Sequence, residues 1–522
     1  MHQCLLINEI AISIAQSFDK SRDADADLLH LALTCHAMYE PAMDALWAYA
    51  PGVLSKLLLC LPMDSEIYEA SSVFPQYPLD GPVILEMLRN LMPADWARLK
   101  HHAHRVRHID LGVSVWERNK ASFSVPYKTL HEVKQSVPGP GPLLPNLRSI
   151  NVQPDSEACI PLVLHSGITH MTLFDNYLGH TNVEEILAQL QACAAKLEFL
   201  VLRNSVFDGM QTAGEINAQT ALLSRCSQLR HLRTTVSLTQ ASFICLASLT
   251  TLHVLRVAAP VLLDSHLTSL TPRSLSFPEL VELQLQGRIE DVARLLSACR
   301  LPQLHFLDLE LNMSAEEMAM SLSPDSGSSV HSVERLTTAL AGFSAVGMLC
   351  IELHTQPGRE DVPGEALLPL AALHDLRIVH LRKFPVRFTP EVVAALARAW
   401  PRLKDLSLNE HADYGAASTG ICIEDLRPFA EHCPVLRKLV LPVAPSPATA
   451  HSPSRGASTA PPAPHGLEHL DLRHSQIESE EECRRIAQFL VAVFPGVRLQ
   501  TRDDNREMVG MVEKFIREAA ET

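Results

Sequence analysis

The sequence is poor in aromatic residues, which make up 5% of its 522 residues, whereas hydrophobic residues as a whole make up 47%. A core of this composition has to be mainly aliphatic. No stretch reaches the roughly 18 uninterrupted apolar residues that a membrane span needs. Residues 1–9 also lack the basic segment and long apolar run of a secretory signal peptide. These absences predict a cytoplasmic or nuclear protein that does not bind a membrane.

Positive charge is also scarce. The 59 acidic residues outnumber the 44 Lys and Arg residues, which gives a formal net charge of −15. Proteins that bind nucleic acids or anionic membranes generally need a basic surface. The sequence therefore predicts neither kind of partner.

Cysteine pairing motifs are missing, because none of the 12 cysteines stands in a Cys-x-x-Cys pair. Scattered thiols are typical of a reduced intracellular protein. Cys193, Cys226, Cys299 and Cys433 stand at or near the ends of predicted helices. We expect them to behave as small buried apolar side chains.

Motifs for phosphate binding, serine hydrolysis and zinc proteolysis are absent as well. The nearest thing to a metal cluster is His101-His102-Ala-His104. Adjacent His side chains diverge on a helix, and no nearby carboxylate or Cys completes a ligand set. We predict a chain that has no metal and no cofactor and is not an enzyme.

What the sequence does contain is a repeated phrase, Leu-x-x-Leu-x-Leu with apolar variants, which occurs about a dozen times. The strong copies begin at Leu197, Leu280, Leu304, Leu403, Leu436 and Leu467, and weaker ones at Val106, Leu147, Ile168, Leu229, Leu252, Val346 and Leu376. Several neighbouring copies lie 27 to 32 residues apart. Such spacing is typical of leucine-rich repeats whose outer element is a helix. We predict an α/β fold in which strand–helix units stack into a horseshoe-shaped solenoid.

The phrase also predicts which side chains are free to bind a partner. Its first, fourth and sixth residues should point into the core, and its third and fifth should line the concave strand face. Thr389 and Pro390 are expected to begin one outer helix as N-cap and first helical residue. Acidic residues in the middle repeats favour a basic target segment, and an ordinary solvated strand face is the alternative. The candidate target-binding residues are Phe199, Arg203, Glu282, Gln284, Phe306, Asp308, Glu310, Asp405, Ser407, His469, Asp471 and Arg473.

Four parts of the chain are distinguished by composition. Residues 1–50 are predicted as a helical segment, residues 51–104 as a helical linker or cap, residues 105–500 as the repeats, and residues 501–522 as a closing helix. Flexible inserts are predicted near 113–144, 312–332 and 442–466, the last of which is rich in Pro, Ala and Ser.

The first fifty residues carry no repeat but three short helical patterns, which together form a weak independent core. Three stretches resemble the F-box motif, above all as it occurs in the large fungal F-box families. They are Leu5-Leu-Ile-Asn-Glu-Ile10, Leu28-Leu-His-Leu-Ala-Leu-Thr-Cys-His-Ala-Met-Tyr39 and Glu40-Pro-Ala-Met-Asp-Ala-Leu-Trp47. Asn8 stands where the family usually has Pro.

This resemblance implies a substrate-recognition adaptor of a cullin-based, SCF-type ubiquitin ligase. The F-box would dock on a Skp-type adaptor, and the repeats would bind a protein target. One alternative is a leucine-rich-repeat interaction scaffold, in which the helices only cap the solenoid. A GTPase activator is a further alternative, but we find no candidate for the arginine that it would need. The resemblance assigns the adaptor contact to Leu5, Leu6, Ile7, Ile10, Leu28, Leu31, Pro41 and Trp47.

Overall fold

The structure is a computed structural model, in which two compact units, Met1–Val236 and Ser237–Thr522, are distinguished. It describes residues 7–18, 24–49, 53–61, 68–72, 83–87, 91–92, 94–111, 123–124, 127–137, 141–152, 159–174, 183–203, 212–260, 273–312, 328–354, 362–384, 386–410, 420–444, 466–472, 475, 477, 479–500 and 506–521. Among these residues, no helix combines the length and the apolar character needed to cross a membrane.

The first unit begins with three helices, α1 (Asn8–Gln16), α2 (Ala24–Thr34) and α3 (His36–Ala48). Helices α1 and α2 both pack on α3. The buried residues Ala11 and Ala42 are small, which permits close packing of helices. We call α1–α3 the three-helix segment. The elements that follow are α4 (Val53–Leu59), β1 (Tyr68–Ser72), β2 (Val83–Met87) and α5 (Trp96–Ala103).

The prediction that residues 51–104 are helical needs correction, because β1 and β2 form an antiparallel pair within them. Tyr68 lies opposite Met87 in this pair. Val83 and Ile84 are β-branched, and this local preference favours extended backbone over helix.

Five strands of the first unit form a parallel sheet in the order β3, β5, β6, β7, β8. Strand β4 pairs with β2 instead. These strands are β3 (His108–Leu111), β4 (Phe123–Ser124), β5 (Ser149–Val152), β6 (His170–Phe174), β7 (Phe199–Arg203) and β8 (His231–Thr234). The helices between them are α6 (Tyr127–Gln135), α7 (Ile160–Val163), α8 (Val183–Leu190), a 3₁₀ helix (Ala194–Lys196) and α9 (Ala213–Leu223).

The second unit contains a longer parallel sheet in the order β9, β11, β13, β14, β16, β18, β19, β20, β21. Two short parallel pairs, β10 with β12 and β15 with β17, accompany it. The strands are β9 (Val254–Pro260), β10 (Leu275–Ser276), β11 (Glu282–Arg288), β12 (Cys299–Arg300), β13 (Phe306–Asn312), β14 (Met348–His354), β15 (Val362–Pro363), β16 (Ile378–Arg382), β17 (Val386–Arg387), β18 (Asp405–Glu410), β19 (Lys438–Val440), β20 (His469–Asp471) and β21 (Arg498–Gln500). The helices are α10 (Gln240–Ala247), α11 (Ile289–Ala298), α12 (Ser328–Leu340), α13 (Pro390–Ala399), α14 (Arg427–His432), α15 (Glu480–Val493) and α16 (Arg506–Glu521), with 3₁₀ helices at Gly364–Ala372 and Ile423–Leu426.

The inward positions of the phrase form the core, as predicted. Leu304, Leu307 and Leu309 are the first, fourth and sixth residues of one copy, and all three are fully buried. The third and fifth residues, Phe306 and Asp308, are half-buried on the other side of the same strand. Burying a Leu side chain contributes roughly 1.5–3 kcal/mol. The alternation of strand side chains thus separates a leucine core from an exposed polar face, and the chain has a leucine-rich-repeat architecture.

One backbone contact recurs from repeat to repeat. The carbonyl oxygen of the second residue of a phrase accepts hydrogen bonds from two consecutive N–H groups of the next phrase. Thr169 accepts from Glu198 at 2.8 Å and from Phe199 at 3.1 Å, and His305 and Lys404 accept two bonds in the same way. This contact fixes the register of each strand against its neighbour.

The outer helix α13 begins as predicted. The Thr389 side chain accepts a hydrogen bond from the Val392 N–H at 3.4 Å, and Pro390 is the first helical residue. Pro suits this position because its missing N–H would have no intrahelical partner there.

The predicted inserts are only partly irregular. Helix α6 lies within 113–144 and buries Leu130 and Val133, so that insert contains an ordered amphipathic helix. Helix α12 starts at Ser328, inside the predicted insert 312–332. Residues 445–465 of the third insert lie outside the described residues.

A helix also occupies the predicted closing position. Helix α16 packs on α15 and buries Val509, Val512 and Phe515. These side chains recur every three residues, which places them on one helical face.

Candidate functional site

An arginine attaches the three-helix segment to the first repeat. The Arg105 side chain is only 2% exposed, and its guanidinium donates hydrogen bonds to the carboxylates of Glu40 and Asp44. Both carboxylates belong to α3 and lie one turn apart, so a single guanidinium reaches both. The hydrogen bond from Arg105 holds the pKa of Glu40 below its usual 4.5.

The end of α3 makes two more contacts with the same region. The Trp47 ring stacks on the His102 ring, with centroids 4.4 Å apart and planes inclined by 21°. The Arg107 N–H donates to the Ala48 carbonyl at 3.2 Å, just before β3 begins. Together with Arg105, these contacts attach α3 to the first repeat through ion pairs, ring stacking and backbone.

Several predicted adaptor-binding residues therefore have another role. Leu28, Pro41 and Trp47 were expected to contribute to the adaptor-binding face or to hold it, and they are buried within the three-helix segment or against α5, where they can only hold it. Leu31 is half-buried. Leu5 and Leu6 lie outside the described residues.

The three-helix segment nevertheless exposes large apolar side chains. Ile7 and Ile10 are exposed on α1 and its N-cap, Tyr39 on α3, and Leu29 and Leu33 on α2. Leu33 is 73% exposed, the largest fraction among them. Leu29 and Leu33 are not among the predicted adaptor contacts, because that prediction follows the stripe containing Leu28. Their i, i+4 spacing is nevertheless a usable signal.

The burial of His102 against Trp47 makes the attachment of α3 sensitive to pH. Burial, with the nearby charges of His101 and Arg105, lowers the pKa of His102 from 6.5 to about 4. Between these values the unfolded chain binds a proton that the folded chain does not. The free energy of opening α3 should therefore be constant above about pH 6.5 and fall as the pH drops toward 4.

Hydrogen exchange of residues 36–48 at pH 7, 6 and 5, corrected for the intrinsic rate, measures this fall. His102→Phe keeps a ring against Trp47 and should remove the dependence, whereas the exposed control His30→Phe should preserve it. An unchanged dependence in His102→Phe would contradict the assignment.

Rings occupy four of five aligned positions across the strand face of the first-unit sheet. The strand register aligns His108, Ser149, His170, Phe199 and His231. Phe199 stacks on His231 at 4.4 Å and on His170 at 5.7 Å. The candidate Phe199 is thus the centre of a ladder of flat side chains, and a ring on a partner can stack on it. Arg203, the other candidate of this sheet, is half-buried.

On the second-unit sheet most of the candidate residues are half-buried, at positions where a partner could reach them. These are Glu282, Gln284, Phe306, Asp308, Glu310, Asp405 and His469. Ser407 and Asp471 are buried, so their prediction as open contacts needs correction. Ser407 lies between the larger His380 and Val440 in the strand register. Arg473 lies outside the described residues.

Charges of both signs alternate on this second face. Arg256 pairs with Glu282, and the Lys383 ammonium lies 3.0 Å from Glu352. The His354 ring lies 3.2 Å from the carboxylate of Glu310. Fixed charges at defined positions suit specific polar recognition of a protein surface.

Asp308 lies near the middle of this face. Burial raises its pKa, Arg382 opposes this effect, and the neighbouring carboxylates of Glu310 and Glu352 raise it further. A cation on a partner would relieve the repulsion among these three carboxylates.

The buried cysteines are poor nucleophiles. Cys193, Cys226, Cys299 and Cys433 are buried as predicted. Burial raises the pKa of Cys193 to about 11 and that of the other three to about 12. They are protonated at neutral pH, and the thiolate is the reactive form.

Comparisons with known proteins add little beyond the architecture. No protein-family model and no curated protein matches this chain. The chain is similar to an internalin from Listeria monocytogenes, with 13% identity, a TM-score of 0.30 and coverage of 74% of this chain and 87% of the internalin. It is also similar to the leucine-rich repeat-containing protein LegL7 from Legionella pneumophila, with 13% identity, a TM-score of 0.26 and coverage of 79% and 97%. Likenesses this distant carry no functional argument, and the F-box resemblance of residues 1–50 stays a prediction.

Proposed function

We propose that this protein is a substrate receptor of an SCF-type ubiquitin ligase. The three-helix segment docks on a Skp-type adaptor, and through it on a cullin, while the exposed strand faces bind a protein target. The chain contributes no catalytic residue. It holds a target lysine near a charged conjugating enzyme and so raises the effective concentration of the two reactants.

The exposed apolar side chains of the three-helix segment support the adaptor contact best. Leu29 and Leu33 lie one turn apart on α2, and neither is covered by the described part of the chain. Exposed apolar side chains that cluster on one element commonly mark an interface. The contacts of Arg105 and Trp47 support the same proposal, because they hold α3 against the first repeat and would transmit the adaptor's position to the target-binding domain.

The same contacts also favour the alternative, an interaction scaffold with a helical cap. A terminal repeat needs a cover for its apolar end, and α3 is attached to the first repeat by Trp47 and Arg105. Both roles use the same fold, and adaptor binding distinguishes them.

Replacing Leu33 with Asp should weaken adaptor binding at least tenfold, because a charge at an apolar contact must be desolvated on docking. Leu33 is too exposed for the substitution to unfold α2. Co-purification of the full chain with a Skp-type adaptor, followed by titration calorimetry, measures the loss.

Leu368→Asp is the matched control, since Leu368 is an exposed leucine of the second unit. It should bind the adaptor as the natural chain does. Equal binding by Leu33→Asp and the natural chain would place the contact elsewhere. No binding by a folded, monodisperse natural chain would leave the scaffold alternative.

A further inference from the structure

A cleft in the second unit has no role in the function proposed above. It opens between α11 and α12, on the helical side of the repeats, and has a volume of about 910 Å³. Clefts of this size commonly bind small ligands or short peptide segments. Its rim is charged and its floor is apolar.

The charge of the rim is opposite to that of the chain. Four arginines and two glutamates line the cleft, a net charge of +2 in a protein whose formal charge is −15. Arginines gathered at one concave site attract carboxylates and phosphates, which they bind with bidentate geometry.

The two glutamates are already engaged. Glu290 lies 3.1 Å from Arg294 and 4.0 Å from Arg335, and accepts a hydrogen bond from Ser332 at 3.2 Å. The second, Glu334, lies 3.3 Å from His331. Neither glutamate is therefore the partner of the two remaining arginines.

Those arginines, Arg273 and Arg300, are exposed, and their guanidinium groups contact no acidic side chain of the described residues. The Arg273 backbone is left-handed, with φ of 62°, and its N–H donates to the Ser297 carbonyl at 3.2 Å. Such backbone is uncommon for a residue other than Gly and is often found at functional sites. It places the Arg273 side chain at the rim beside the end of α11.

The apolar floor of the cleft favours a ligand that is larger than a simple anion. Leu301 and Phe343 are buried side chains that line the cleft. Ala293 and Ala339, on the two facing helices, have small side chains and so leave space between the helices. A bare phosphate would contact the arginines and leave this apolar surface uncovered. A peptide with alternating acidic and apolar side chains would use both.

We infer that the cleft between α11 and α12 binds an acidic peptide segment of a partner protein, with Arg273 and Arg300 pairing with its carboxylate or phosphate groups. None of the residues that line this site belongs to the candidate target-binding residues or to the three-helix segment. The inference does not rest on the proposed ligase function, and its test requires no adaptor.

The test is fluorescence anisotropy of the full chain with a labelled twelve-residue peptide in which Leu alternates with Glu. A second peptide carries phosphoserine in place of Glu, and a third carries Gln. The Glu or phosphoserine peptide should bind at least tenfold more tightly than the Gln peptide, and its binding should weaken as salt is raised. Comparing the first two shows whether carboxylate or phosphate is preferred.

Arg300→Glu and Arg273→Glu should each weaken binding about tenfold, because each places a negative charge opposite the ligand. Arg273→Gly distinguishes the contribution of the guanidinium to binding from that of the left-handed backbone conformation. Gly adopts the left-handed conformation without strain, so this variant should lose affinity while its melting temperature stays the same or rises. Arg398→Glu, an exposed arginine on α13, is the matched control and should bind normally.

Four results would overturn the inference. The first is that neither the Glu peptide nor the phosphoserine peptide binds more tightly than the Gln peptide. The second is binding that Arg300→Glu and Arg273→Glu leave unchanged. The third is binding of tripolyphosphate but of neither acidic peptide, which would make the cleft a small-anion site. Dimerisation of the natural chain that Arg300→Glu abolishes would likewise assign the cleft to a second copy rather than to a peptide.

Discussion

Replacing Glu40 with Gln and Asp44 with Asn together should destabilise the attachment of α3 by about 3 kcal/mol, at the lower end of the range for an unpaired buried charge. The Arg105 side chain is buried and would lose both anionic partners. The value lies at the lower end because the two carboxylates are more than half exposed, so water would hydrate part of the guanidinium. Hydrogen exchange of α3 at pH 7 measures the local free energy of opening.

Replacing the arginine instead of the two carboxylates should destabilise the attachment of α3 less. Arg105→Met removes the buried charge and keeps most of the side-chain volume, while water solvates the two exposed carboxylates that remain. The expected loss is about 1 kcal/mol or none. Arg107→Met, at an exposed neighbouring position, is the control and should change little. If Arg105→Met costs more than the double carboxylate variant, the ion pairs are not what attaches α3.

Replacing Trp400 with Ala should destabilise the second unit by about 3–5 kcal/mol, the range for a fully buried large aromatic residue. Trp400 is the C-cap residue directly after α13, and its indole N–H donates to the Leu370 carbonyl of the preceding 3₁₀ helix at 3.2 Å. The Cys433 thiol contacts the Trp400 carbonyl at 3.4 Å. The side chain thus fills space between repeats and also satisfies a buried carbonyl.

Trp400→Phe separates these two contributions. It keeps most of the apolar ring and removes only the hydrogen bond, so it should cost about 1–3 kcal/mol. Denaturant unfolding followed by a probe in the second unit gives both values. Equal losses for Ala and Phe would mean that the hydrogen bond, rather than the volume, dominates.

The sequence predicted the parts of this fold that depend on local periodicity. The buried Leu304, Leu307 and Leu309 follow from the phrase, because strand alternation fixes the side to which each one points. The Thr389 cap follows from a two-residue signal. Cys299 was predicted as a buried thiol from its position after a helix.

The parts that depend on distant pairs could not be predicted. Arg105 is more than sixty residues from Glu40 and Asp44 in the sequence, and no local sequence pattern predicts that they form ion pairs. Arg273 and Arg300 form one rim only because α11 and its neighbouring strands bring them together. The exposure of Leu33 could not be predicted either. Helix α2 has two apolar stripes, and only the tertiary packing determines which of them is buried.

The parallel register of the second unit sets the length of any segment that lies across its strands. Neighbouring strands lie about 4.8 Å apart, so eight steps across the nine described strands span about 38 Å. An extended peptide covers that distance with about twelve residues, and an α-helix with about twenty-five. The steps of the sheet and of an extended peptide do not match, since one is about 4.8 Å and the other about 3.3 Å. Successive side chains of such a peptide would therefore meet the strand side chains in phase only about every three residues.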